Sequence, residues 1–176
     1  EYMRYPDKII VISNFFKNKL LKRYSFLDSK NIMEYPNIID FRMFEKFKID
    51  KSIKKSKKLT LFYFGIVAER RGIFEAINSF SNILIKGFKI KLLIIGPIDK
   101  ADSYKFFQLI NSSNLKNHIE YIPWIDLSEI LTYLKISDIC LAPFLKNDQH
   151  ESGVANKIYQ YMFGRKPIIA SNCTPQ

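Results

Sequence analysis

The chain lacks any apolar run approaching the roughly 18–20 residues that span a bilayer, and its first residues do not read as a secretory signal with a small-residue cleavage site. As it stands, the sequence reads as soluble. Cysteine is scarce. Cys140 lies in an apolar run and Cys173 near the end, so they form neither a disulfide framework nor a metal-ligand cluster. That usage fits a reducing, cytoplasmic setting, and no metal or cofactor is expected. The stretch "GIVAERRG" (Gly65 to Gly72) has neither the G-x-G-x-x-G spacing of a dinucleotide fold nor the lysine-serine pair of a P-loop. His118 and His150 stand beside no Ser-Asp arrangement, which disfavours a nucleophilic triad.

What is present suffices for one ordinary core with a small appended piece: 176 residues, 47% hydrophobic, with 15 Phe and 10 Tyr. The net charge of +11 suits an anionic partner. Seven of the lysines, however, crowd into residues 46–58, a stretch without apolar period that reads as a solvated connector. No aromatic-basic recognition motif accompanies the charge, so nucleic acid is not the expected partner. The first residue is Glu1 and the chain closes on Pro175-Gln176 directly after an expected strand, so we expect an excerpt of a longer protein.

Short apolar runs alternate with helical patterns. "KIIVIS" (Lys8 to Ser13) reads as a strand, followed by a helix capped by Ser13 or Asn14, and "NIMEYP" as another short strand. A new unit begins at "LTLFYFG" (Leu59 to Gly65), a run of the kind buried on both faces of a parallel sheet. Ile73, Ile77, Phe80 and Leu84 then share one helix face. Further strands are expected at Lys89 to Pro97, His118 to Trp124, Asp138 to Phe144 and Lys166 to Ser171, with helices around Ser103 to Asn111 and after Asp126. The alternation predicts an α/β fold, a Rossmann-like parallel sheet with helices on both faces. Ligands in such sheets sit beyond the carboxyl ends of the strands.

Two loops there carry candidate chemistry. Gly65 permits close backbone approach, and Arg70 and Arg71 precede Gly72 at a helix start, where a guanidinium can fork onto phosphate oxygens or simply face solvent. In "ESGVANKIYQYMFGRKPIIAS" (Glu151 to Ser171) a polar, glycine-bearing loop opens a helix whose N-terminus suits an anion. Asn156, Lys157 and Gln160 are spaced to share a face opposite Ile158, Tyr159 and Met162, either as a ligand stripe or as ordinary helix solvation.

The segments "DKIIVISNFFKNKL", "NIMEYPNIIDFRMF", "LFYFGIVAERRGIFEAINSF", "KLLIIGP", "EYIPWIDLSEILTYLKISDICLAPF" and "NKIYQYMFGRKPIIAS" together resemble the C-terminal half of a group 1 (family 4) glycosyltransferase. The resemblance implies a GT-B architecture: residues 1–45 as the end of an N-terminal domain and its crossover, 46–58 as the connector, 59–176 as the nucleotide-sugar-binding domain. It implies a retaining, metal-independent transfer from a UDP- or GDP-sugar to a saccharide or glycolipid acceptor, in surface polysaccharide or glycolipid synthesis. The setting would be cytoplasmic, with peripheral contact at the inner membrane surface. By the same resemblance Arg71 and Lys157 serve the diphosphate, while Gly65 and the N–H groups of Gly153, Val154, Ala155 and Asn156 lie around it. Trp124 and Ile125 flank the base, although Trp124 reads equally well as a core aromatic. The sequence departs from the family at three places. Ile66 follows the glycine where many members have arginine. Gln160 stands at the second of two glutamates eight positions apart, where it can still bond a ribose hydroxyl, and Ser152 stands at the first, with Glu151 adjacent and able to substitute on the donor sugar. A non-catalytic nucleotide-sugar-binding domain and a GT-B-fold epimerase are the alternatives. The fragment alone is expected to be inactive.

Overall fold

The computed structural model describes residues 2–175. Seven strands form in chain order: β1 (Ile9–Val11), β2 (Ile32–Glu34), β3 (Leu59–Phe64), β4 (Ile90–Ile95), β5 (Ile119–Ile122), β6 (Ile139–Ala142) and β7 (Ile168–Ala170). Between them run α1 (Asn14–Arg23), α2 (Phe41–Phe44), α3 (Ile73–Ile85), α4 (Ser103–Ile110), α5 (Ile130–Ile136), α6 (Asp148–Glu151) and α7 (Asn156–Phe163).

β1 and β2 pair in parallel around a small core of Val11, Leu20 and Ile32, with α1 as the crossover. Ser13 caps α1 by accepting the N–H of Phe16 at 3.2 Å. The main sheet is parallel throughout, in the order β5-β4-β3-β6-β7. Its middle strands are apolar on both faces because helices cover both. Leu61, Tyr63, Leu92 and Ile94 meet α3 and α4, while Phe62, Leu93, Ile95 and Cys140 meet α5 and α7. Each such large side chain contributes about 1.5–3 kcal/mol on burial. Ile73, Ile77 and Phe80 face the sheet as their spacing requires.

The lysine-rich connector is mostly exposed but docks at two points. The Asp50 N–H donates to Thr132 Oγ1 at 2.9 Å, and Lys55 pairs with Asp138, whose other oxygen accepts the Thr60 N–H at 2.8 Å.

The order reverses between β3 and β6: the chain steps from β3 to β4 on one side and later places β6 on the other. Loops leaving the carboxyl ends of β3 and β6 therefore diverge and leave a crevice there.

Candidate functional site

The crevice is built around the last turns of β3 and β6 and the first turn of α7. Tyr63, one residue before the end of β3, is fully buried, its hydroxyl donating to the Ile66 carbonyl at 2.7 Å, and burial pushes its phenol well above the ordinary range. Phe144, two residues past β6, is buried as well. Lys157, the second residue of α7, reaches between the two rings. Its Nζ lies 3.7 Å from the centre of Tyr63 and 5.0 Å from that of Phe144. A side chain at Gly65 would meet that Nζ at 3.2 Å, so the glycine leaves room for the ammonium at the strand end.

Arg71 reaches the same ring, its Cζ 5.7 Å from the Phe144 centre. Gly72 brings it there. At φ 70° this residue is left-handed, and a Cβ on it would lie 1.6 Å from the Pro143 carbonyl oxygen, so only glycine lets the β3–α3 connection rest on the end of β6. His150, at the third position of α6, also packs against Phe144, with ring centroids 4.5 Å apart. Its Nδ1–H donates to the Leu145 carbonyl at 2.7 Å.

Three nitrogens thus surround one ring, and all lack a partner: Arg71 Nε, His150 Nε2 and Lys157 Nζ are buried without a hydrogen bond. Among the described residues, neither Arg71 nor Lys157 forms an ion pair. Burial first, and then the Arg71 charge, hold the Lys157 ammonium well below the usual lysine range. Burial likewise lowers His150, with Arg71 and Lys157 adding to the effect. Stacking on aromatic rings offsets about 2 kcal/mol for a desolvated cation, whereas burying an unpaired ion costs several kcal/mol. The balance favours an anion in the crevice.

The neighbouring surface makes a useful contrast. A hollow of about 520 Å³ lined by Glu69, Arg70, Asp99, Asp102 and Lys146 is also highly charged. There Arg70 is bound to Asp99 at 2.6 Å, Glu69 to Lys105 at 2.9 Å, and Lys146 faces Glu151 at 3.8 Å. Of the two adjacent arginines, Arg71 faces the crevice and Arg70 the surface.

The other expected positions fall in several places. Lys157, Ile158, Gln160 and Tyr161 are the buried residues of α7, whereas Asn156 and Met162 are exposed. The expected division of that helix into a polar face and an opposite apolar face is therefore corrected. The polar Lys157 and Gln160 turn inward beside Tyr161, because the helix start points into the crevice. Asn156 accepts the Asn37 amide at 2.7 Å, joining α7 to the segment after β2. Ala155 offers no side-chain cap to α7. The Ser152 carbonyl accepts the Ser13 hydroxyl, and Gly153 faces Ile12, leaving 2.9 Å for a Cβ. Val154 and Ala155 pack with Phe144 and Ile158. Glu151 is turned toward the end of the chain, where it accepts the Thr174 hydroxyl at 2.7 Å and the Thr174 N–H at 3.3 Å. Ile66 is exposed at the crevice rim, Trp124 is 69% exposed, and Ile125 is buried against Leu93, Ile95 and Tyr161.

Sequence reading did not single out Tyr63, Phe144 or His150 as site residues. Their roles depend on β3, β6 and α6 converging.

The model of the family described as "Glycosyl transferases group 1" matches residues 44–176, most of the chain. The chain belongs to that family. Within the group 1 glycosyltransferases, it is 24% identical over 178 residues to the capsular polysaccharide biosynthesis glycosyltransferase CapM of Staphylococcus aureus, covering 94% of this chain and 43% of CapM. Among solved structures it resembles a Rickettsia africae glycosyltransferase with a TM-score of 0.78 at 19% identity, over 97% of this chain and 45% of that one. Anabaena Alr3699/HepE, solved in complex with UDP and glucose, has a TM-score of 0.76 at 12% identity, over 97% of this chain and 46% of that one. The C-terminal domain of the Francisella tularensis group 1 family protein LpcC has a TM-score of 0.57 at 22% identity, over 79% of this chain and 68% of that one. These likenesses give the GT-B type of fold. The chain spans less than half the length of CapM and of the two longer structures.

Proposed function

We propose that the chain is the donor-binding half of a retaining glycosyltransferase that uses no metal and transfers a sugar from a UDP- or GDP-sugar to a saccharide or lipid-linked acceptor. The observation that carries this reading is the pair of cations around Phe144, the buried Lys157 and the part-buried Arg71, whose Nζ and Nε have no hydrogen-bond partner among the described residues. Glycosyl transfer develops oxocarbenium character on the sugar and negative charge on the departing nucleoside diphosphate. Fixed cations in a water-poor crevice stabilise that charge more as it grows, which lowers the barrier. Lys157 and Arg71 hold the diphosphate, with the start of α7 adding its partial positive charge.

Gln160, buried one turn further along α7, supplies an amide to the ribose. The exposed ring of Trp124, beyond β5, offers a stacking face for the base, with Ile125 beneath it. Ile66 leaves the rim without the second arginine common in relatives, so the charge falls on Arg71 and Lys157. Glu151 is the candidate for the donor-sugar hydroxyls, and reaching them requires release from Thr174. The whole protein would act in surface polysaccharide or glycolipid synthesis in the cytoplasm, its net charge of +11 favouring peripheral contact with an anionic membrane face.

The test is a screen of UDP- and GDP-sugars against the whole protein, following both transfer and slow donor hydrolysis. One donor should be consumed, and Arg71→Ala or Lys157→Ala should weaken binding of its nucleoside diphosphate by about 1.5–3 kcal/mol. Nucleotide binding without consumption of any donor would favour the non-catalytic binding domain, a reading that Glu151's engagement with Thr174 supports.

A further inference from the structure

His150 is buried, 4% exposed, and its orientation is fixed from two sides. Phe144 packs against the ring at a tilt of 36°, and the Leu145 carbonyl accepts from Nδ1. That bond settles the tautomer of the neutral ring: Nδ1 carries the proton and Nε2 keeps its lone pair. Nε2 nevertheless has no donor to accept from. The unpartnered nitrogens of the crevice belong to Arg71 and Lys157, which are donors themselves. All three groups lie within 5.7 Å of the centre of the Phe144 ring. Both donors lie around the same ring, yet neither reaches the Nε2 lone pair with hydrogen-bond geometry. A protonated Nε2 would instead donate to the anion that these cations receive.

We propose that His150 is a third anion ligand of the crevice, taking up a proton from solvent on Nε2 as the diphosphate enters, so that binding and release of the nucleotide are coupled to one protonation. This inference rests on the donor-site reading above. The proton balance is simple: Nδ1–H continues to donate to Leu145, Nε2 gains the proton, and the imidazolium donates it as a hydrogen bond to a phosphate oxygen. On departure of the anion the proton returns to solvent.

The groups facing the imidazole agree with that coupling. Arg71 comes from the β3–α3 connection and Lys157 from α7, both cationic, and Arg70 stands farther out, paired with Asp99. On α6 itself Asp148 is paired with Lys19 and Glu151 with Thr174 and Lys146. Without a bound anion, burial and the two cations hold the ring's pKa below the usual histidine value. A polyanion among the same groups reverses the sign of the local field. The ring's pKa in the complex then exceeds that in the free protein, so affinity rises as pH falls through the bound-state value and levels off below the free-state value.

The chain has two histidines, and His118 stands before β5 at the opposite end of the sheet, so the imidazole NMR spectrum carries its own control. The wild-type protein is titrated with pH, with and without saturating inorganic pyrophosphate and, separately, UDP. His150 should convert from a neutral Nδ1–H ring to an imidazolium at higher pH in both complexes than in the free protein, while the His118 resonances should not respond to either anion. His150→Asn, which can keep the bond to Leu145 and removes Nε2, should lose up to about tenfold per pH unit of the wild type's affinity gain between roughly pH 8 and 6. An imidazole that stays neutral in both complexes while Lys157→Ala abolishes binding overturns this inference and leaves the donor site intact. A wild-type protein that binds neither pyrophosphate nor UDP overturns both.

Discussion

Lys157 illustrates how a single residue can oppose the stability of the fold that presents it. Its ammonium is buried, 7% exposed, with rings and not carboxylates around it. The folded-state pKa is lowered, so the unfolded chain binds more protons than the folded one below the normal lysine value of about 10.4. Ligand-free stability should therefore rise as pH is raised from 7 to 9. Saturating pyrophosphate should flatten that slope, because the anion returns the ammonium to its ordinary proton affinity. Urea unfolding across that range checks both statements. Glu151 behaves in the opposite sense. The Thr174 hydroxyl, aided by its N–H and by Lys146, holds the carboxyl below the usual glutamate range. Its contribution is complete above about pH 4.3 and is lost as pH falls through the folded value, so the protection of the Thr174 amide relative to its intrinsic exchange rate should fall only in acid. Gln160→Glu should preserve or strengthen UDP binding if the ribose is its partner, since a carboxylate accepts hydroxyl bonds more strongly than an amide. On their own, Arg71 and Lys157 read as well for solvated surface as for a ligand site, and the resemblance to group 1 glycosyltransferases is what singles them out. The partners that make them a site could not be read this way. Nothing local in "LAPFLKNDQHES" shows that Phe144 and His150 fold back onto one another, or that Glu151 finds Thr174 twenty-three residues away.

At the scale of elements, the strands and long helices follow the periodicity closely because each lies against a neighbour of matching pattern. β3 and β4 are apolar runs covered on both faces, and α3 presents Ile73, Ile77 and Phe80 to one of them. The short elements escaped notice. α2 and α6 have four residues each, too few to show a period, and their positions are set by the caps Asp40 and Asn147. The orientation of α7 was not legible either, since polar side chains on a helix ordinarily face water and here two of them face the crevice. Turns set the remaining geometry. Gly72→Ala places a methyl against the Pro143 carbonyl in a left-handed conformation, and it should cost at least about 4 kcal/mol or prevent folding. Gly87 is also left-handed, at φ 85°, but a Cβ there meets nothing, so Gly87→Ala should cost only about 1–2 kcal/mol. Thermal unfolding of the two variants separates crowding from backbone strain.

In the proposed reading the whole molecule is one side of a cleft. Its main sheet, the crevice at the β3–β6 reversal and the βαβ piece at residues 2–44 join through Ser13 to Ser152, Gly153 to Ile12 and Asn37 to Asn156. Acceptor recognition would need a facing surface, and the chain covers less than half of CapM. The 176-residue chain should therefore bind UDP or GDP yet transfer no sugar, and robust transfer by it alone would contradict a divided site. The central claim is that the two cations are held apart from any carboxylate in order to receive a diphosphate. Lys157→Met keeps the length and apolar stem of the side chain while deleting its charge, so its unfolding with and without UDP and GDP is the most direct measurement. The account predicts a variant about 1–3 kcal/mol more stable than wild type without nucleotide, melting about 3–8 °C higher, and gaining much less stability than wild type does from the same concentration of either nucleotide. A variant that melts below wild type without nucleotide and is still stabilised as much as wild type by UDP or GDP would contradict it.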